Sequence, residues 1–337
     1  MNIRSAEQYD FIDLLKGFGI FLVVWGHTMV PRSVLIYSFH MPLFFVISGF
    51  LHKDKPLKEF LLGRIFRLYL PYALFTVVSW LFYLAMLGLQ GRGDLIGDHL
   101  PKIISLFTGT GRNGGNDPIW YLTCLMVVSV LFWLLDHGVK KPGRLFLAAL
   151  LISGLGYYLS LRRIFLPFKV DVALTALLFY WFGCYARRQN LLQWIKRLNR
   201  VTAIGFLSVC MALYFYLAWL NVDLTGIPKV SMISNNLGNY FLFYLAALFA
   251  IVFLFIVGYR IGSIHCLNYL GHNSLIVLAA HKPLLSLFNL SLDSYVDVES
   301  EFYGIVISVI VIIAILPLIK LWNEKRLFQF EKLLYRH

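Results

Sequence analysis

Charge is what this sequence has least of. Only 14% of its 337 residues are Asp, Glu, Lys or Arg, while 59% are hydrophobic, and the mean hydropathy is +0.73. Soluble domains carry about 25% charged and roughly 45–50% apolar residues, so a water-soluble fold could not hide this much apolar surface. Acidic residues are scarcer than basic ones, 17 against 30, which leaves a net charge of +13. Such an excess suits nucleic acid, but the basic residues fall in short stretches between apolar runs. That placement points to membrane topology and against a nucleic-acid partner. Cysteine is also sparse. Cys124, Cys184, Cys210 and Cys266 all lie in apolar runs and make no CxxC pair, so they read as packed thiols, with no disulfide framework. No internal repeat, low-complexity tract or terminal soluble domain is visible. No cleavable signal is expected either: the first apolar run lacks a small-residue cleavage site and contains Asp13 and Lys16.

Long apolar runs are what the chain does have. Runs such as LFYLAALFAIVFLFIVG do not alternate polar with apolar, as barrel strands would. They predict an all-α, polytopic integral membrane protein with about ten spans in one domain, 1–337. The spans fall near 11–30, 35–52, 68–89, 118–136, 144–161, 172–188, 201–221, 237–257, 264–289 and 302–322. The second is short, and the ninth is expected to be interrupted at Pro283. With the N-terminus in the cytoplasm, 20 Lys and Arg fall on the inner side and 8 on the outer, two more lying within spans. The positive-inside rule then puts both termini in the cytoplasm. Two inner connections are basic, 53–67 and 186–200, and the second reads as an amphipathic surface helix. The longest outer connection, 90–117, ends in a Gly/Asn-rich piece.

Against this apolar background the first hairpin, Asp13 to Gly49, carries Asp13, Lys16, His27 and His40. Ionisable residues inside a membrane segment are costly and usually have a partner or a task. Lys16 and His27 are eleven positions apart, about three turns plus roughly 20°, so they share a face some 16 Å apart. Asp13 lies three residues before Lys16, at pairing distance. A snorkelling lysine and a helix-end histidine would account for this pair on their own. His40 weakens that account, because a short turn makes the two spans antiparallel and brings His27 and His40 to similar depth. Two histidines without nearby carboxylates or cysteines make a poor zinc site, so no metal is expected and general-base work fits better.

Five segments together are similar to the acyltransferase family 3 membrane proteins, and most to the fucose 4-O-acetylase-like group of sugar and polysaccharide O-acetyltransferases. They are KGFGIFLVVWGHT, SFHMPLFFVISGFL, RIFRLYLPY, WYL at Trp120–Leu122, and LGHNSLIVLAAHKPLL. The resemblance implies transfer of an acetyl group from cytoplasmic acetyl-CoA, a co-substrate and not a bound cofactor. The acceptor would be a hydroxyl of a sugar, a lipid-linked glycan or a polysaccharide, at the inner (plasma) membrane. It implies His27 as the catalytic histidine, with Lys16 in place of the family's basic partner, where a lysine loses the bidentate fork of an arginine. Arg64 and Arg67 match its basic pair and suit the anionic coenzyme. His281 falls where the family often has a site-lining histidine. Ser48, Asn116, Trp120 and Tyr121 are donors by type for the oxyanion of the transition state. Ser48 with Gly49 also fits close helix packing, and Trp120 with Tyr121 an interfacial aromatic belt.

The competing reading is a transporter or flippase with an intramembrane Lys/His relay, against which stands the lack of repeated halves with matching broken helices. A sensory or structural membrane protein leaves the polar cluster without a purpose. The topology has its own test. In intact cells a cysteine at position 297 should react with an impermeant maleimide, and one at 326 should not; the reverse pattern would invert the chain in the membrane.

Overall fold

Proline, glycine and asparagine decide where the apolar runs start, touch and break. The computed structural model describes residues 3–28, 33–92, 107–109, 116–292 and 301–325. In chain order, α1 is Ile3–Gly26, α2 Ser33–Phe50 and α3 Leu57–Arg64, which continues through a π-turn, Ile65–Tyr69, into α4, Leu70–Leu89. Next come α5 (Trp120–Gly138), α6 (Pro142–Leu161), α7 (Val170–Arg188), the short α8 (Leu191–Arg197), α9 (Arg200–Thr225) and α10 (Tyr240–Ile261). The last are α11 (His265–His272), α12 (Ser274–Leu292) and α13 (Glu301–Lys325). No strand occurs among the described residues, beyond a single bridge between Ser231 and Asn236.

Among the described residues, seven helical stretches are long and apolar enough to cross a membrane, and two shorter apolar helices, Val34–Phe50 and Ser274–Phe288, accompany them. Their outward faces are apolar as well: Leu151, Leu155, Val201, Ile204 and Ile313 are all exposed. In water such surface would be a liability, whereas against lipid it needs no cover. The chain is an all-α, multi-pass membrane protein.

Two expectations are corrected. The connection 53–67 is helical from Leu57 onward. Pro71 explains the π-turn that follows it. Having no N–H, it cannot bond the carbonyl of Arg67, and the Leu70 N–H reaches back five residues to Ile65 O. Such insertions are frequent at functional sites, and this one carries Arg67, with Arg64 as the residue just before it. The ninth span does break, but at Asn273, between α11 and α12, whereas Pro283 lies inside a continuous helix. The amphipathic helix expected in 186–200 is present as α8. The turn at Pro31 and the acidic stretch 293–300 lie outside the described residues.

The core forms where α2 meets α7. Gly49 faces the Tyr180 carbonyl and Gly183 the Val46 carbonyl, each so closely that a Cβ would collide with it. Small residues let membrane helices approach backbone to backbone. At one end of the bundle, Arg188 holds Asp136 through two bonds of 2.8 and 2.5 Å, Arg187 donates to His52 O at 2.9 Å, and Asn268 donates to Asp10 O at 2.7 Å. At the other, Tyr37 OH donates to Gly26 O at 2.9 Å and Lys169 donates to Ile233 O at 3.2 Å. We call these the Arg64 end and the His27 end.

Helices α1 and α11 cross in the same glycine-dependent way, Gly17 on the Leu267 carbonyl and Gly271 on the Asp13 carbonyl. Gly271→Ala should therefore cost about 1–3 kcal/mol, the usual range for overpacking, and lower the detergent melting temperature. Gly63→Ala, which meets nothing within 4 Å, should not. Equal melting temperatures for the two variants would refute this packing.

Candidate active site

Three imidazoles gather at the His27 end, all anchored in one way. His27 Nδ1–H donates to Val23 O at 2.6 Å, His40 Nδ1–H to Ile36 O at 2.7 Å, and His281 Nδ1–H to Val277 O at 2.9 Å. A carbonyl only accepts, so the hydrogen sits on Nδ1 and each neutral ring turns a lone pair outward at Nε2. Residues 16 to 26 are helical, and His27 is the first residue beyond the end of α1. Its ring lies 5.2 Å from that of His281, centroid to centroid. His281 is fully buried and its Nε2 has no partner. Tyr37 stands between the other two, 6.3 Å from His27 and 5.0 Å from His40.

One stripe of α2 links this cluster to a second. Tyr37, His40, Phe44 and Ser48 recur at spacings of three and four, which places them on one face. Ser48 Oγ lies 3.2 Å from Tyr121 OH. Two hydroxyls joined by one hydrogen bond keep one hydrogen to donate elsewhere. Toward the Arg64 end, Tyr180 OH lies 2.9 Å from His52 Nδ1, and His52 Nε2 is buried without a partner. Arg64 stacks its guanidinium 4.6 Å above the Phe60 ring, and its charge acts on both Tyr121 and Tyr180. Burial, then the Arg64 guanidinium, lowers the His52 imidazole to about 4, so that ring is uncharged at neutral pH.

The structure separates residues that the sequence grouped. Lys16 is paired with Asp13 at 3.0 Å. Ile20 and Val23 lie between Lys16 and His27 on the same face, and both are buried, so that face is packed with side chains. Trp120 and Tyr121 are buried at 5% and 8% exposure, which removes the aromatic-belt reading. Arg67 is exposed at the π-turn, while Arg64 is half-buried. Among the described residues, no three His, Cys, Asp or Glu side chains converge as a metal site would need. Sequence reasoning missed Tyr37, His52 and Tyr180. The period of the α2 stripe could have flagged Tyr37; the other two are brought in by contacts between distant helices.

Asn116 has a role that its type did not suggest. Its Nδ2 donates to Ser79 Oγ at 2.7 Å and to Ala279 O at 2.8 Å, so it is not an available oxyanion donor. Ala279 is the residue four before Pro283, whose missing N–H leaves that carbonyl without its helical partner. Asn116 supplies the absent hydrogen. Helix α12 therefore stays continuous through Pro283, with His281 held at its place within that turn. Side chains that restore freed backbone groups are how membrane helices tolerate proline.

Comparison with protein families matches a model described as an acyltransferase domain to residues 9–320. Comparison with curated proteins and with solved structures returns no match.

The Asn116 assignment predicts a double-mutant result. Asn116→Ala should destabilise the protein by about 1–3 kcal/mol, the cost of a buried unpaired carbonyl. In a Pro283→Ala background, where residue 283 regains its N–H, the same change should cost at least half as much less. Equal losses in both backgrounds, read by thermal unfolding in detergent, would disprove the pairing.

Proposed function

The chain belongs to acyltransferase family 3, and from that premise we propose that it moves an acetyl group from acetyl-CoA to a hydroxyl of a sugar or cell-surface polysaccharide. The observation that carries this reading is the His27–His281 contact, two neutral rings 5.2 Å apart whose Nδ1 hydrogens are both tied to backbone. A general base must offer a lone pair and hold still, and His27 does both.

In this reading the Arg64 end faces the cytoplasm of a cell whose plasma membrane holds the protein. Coenzyme A is polyanionic, and Arg64 and Arg67 receive its phosphates. The thiol-bearing arm runs past Tyr180, Tyr121 and Ser48 along the α2 stripe. Ser48 lies eight residues from His40, about 12 Å along the axis, so its hydroxyl serves the arm and not the reacting carbonyl. At the far end His27 Nε2 takes the proton of the acceptor hydroxyl. The oxygen attacks the thioester carbonyl carbon, the carbon–sulfur bond breaks, and the sulfur leaves as thiolate. It then takes from His27 the proton that the acceptor gave up, so the products are the acetyl ester and free coenzyme A, and His27 is neutral again. In the same reading His281, whose ring lies 5.2 Å from that of His27 and whose buried Nε2 has no partner, shares the hydrogen of the transient His27 imidazolium.

His27→Ala should lower acetyl transfer by at least about 10²-fold, the usual worth of a general base, with expression and membrane insertion unchanged. Arg64→Ala should raise the KM for acetyl-CoA while sparing that for the acceptor. Both are read with purified protein and radiolabelled acetyl-CoA, and the loss of O-acetyl groups from cell-surface glycans of a deletion strain gives the cellular counterpart. Full transfer activity in His27→Ala would overturn the assignment.

A further inference from the structure

Two lysines at the His27 end have no part in the reaction as drawn. Lys229 stands in the connection between α9 and α10, and that connection is held in place. Val230 and Met232 are buried in it, and Ser231 and Asn236 exchange backbone hydrogen bonds of 2.7 and 2.9 Å. The Lys229 ammonium lies 4.2 Å from the centroid of the Tyr37 ring, the same ring that touches His40 and faces His27. Lys282 follows His281 on α12 and is half-buried. The charges of Lys282 and Lys229 both act on His27.

Lys16, Lys55 and Lys320 pair with Asp13, Glu59 and Glu324, Lys169 donates to Ile233 O, and Lys53, Lys58, Lys140, Lys141 and Lys196 are exposed. Among the described residues, Lys229 and Lys282 have no carboxylate partner. Instead they act on each other. Burial, then the Lys282 ammonium, holds the Lys229 pKa below the usual lysine range. Both lysines are half-buried beside the same histidine cluster, and two like charges held there by a packed loop and a helix repel until an anion neutralises them.

We propose that Lys229 and Lys282 are the anchor for the acceptor, which carries an anionic group, a carboxylate or a phosphate, in addition to the hydroxyl presented to His27. This rests on the acetyl-transfer reading above and names the class of its acceptor: an acidic or phosphorylated saccharide. Tyr37, between the Lys229 ammonium and the two imidazoles, sets the spacing from the anchor to His27. The anion fixes the sugar's orientation, and the distance from anion to histidine selects which hydroxyl reacts.

Binding can be measured without the reaction. The full-length chain in nanodiscs of zwitterionic lipid, free of acetyl-CoA, is titrated with D-glucuronate, D-glucose 1-phosphate and D-glucose. At least one anionic sugar should bind about tenfold or more tightly than glucose, as charge-assisted pairing predicts, and the tighter of the two identifies the group. Lys229→Ala and Lys282→Ala should each remove most of that preference, and Lys229→Arg should restore it. Equal binding of all three sugars, no binding of any, or an anion preference untouched by both alanine variants would overturn the proposal. So would occupation of the lysines by phosphatidylglycerol in place of the sugars. No step of this test needs His27, so a failure of the transfer chemistry would show in the His27→Ala assay and leave this result standing.

Discussion

An imidazole in a membrane interior has one cheap way to be held still, which is to give its Nδ1 hydrogen to the backbone one turn earlier on its own helix. His27, His40 and His281 all do so. The rest of the site depends on this constraint. It fixes which nitrogen carries the hydrogen of the neutral ring and points each lone pair away from its own helix. Burial of a charged ring would be expensive, whereas burial of a neutral one costs only the bond that Nε2 does not make. His281 bears that cost outright.

The packing serves the same end. Glycines at 17, 49, 183 and 271 bring backbones into contact, so α1, α2, α7 and α11 form a rigid frame. Within it, the ninth span is interrupted at Asn273, between α11 and α12, and preserved at Pro283. The break separates the segment that packs on α1 from the segment that carries His281. The preservation depends on one amide, Asn116, whose hydrogen takes the place of the one proline lacks. A side chain from the connection after α4 thereby fixes the register of His281, on a helix far along the chain.

Much of this was legible in the residues. Apolar runs gave the helical membrane class, the family segments gave the acyltransferase reading, and the spacing of Lys16 and His27 put them on one face. What the residues did not reveal came from contacts between distant segments. Pro283 is the strongest breaker in its run by its own chemistry, and nothing local says that Asn116 will neutralise it. Trp120 and Tyr121 look interfacial because they open a helix, yet the neighbouring helices bury them. Arg64 and Arg67 looked like loop residues because a basic stretch reads as a connection, whereas Pro71 turns that stretch into a π-turn inside a helix. Lys16 and His27 share a face, but the side chains that fill it, Ile20 and Val23, were read only as apolar background.

The central claim is that donor and acceptor meet from opposite sides of the membrane, with the donor entering at Arg64 and the acceptor at His27. Proteoliposomes of uniform orientation test it directly. Acetyl-CoA is supplied only on the Arg64 side and the saccharide acceptor only on the His27 side, and acetylated product is measured on each side. The account predicts product on the His27 side and free coenzyme A on the Arg64 side, with none formed when the two substrates are exchanged. Transfer that requires both substrates on one side would contradict it.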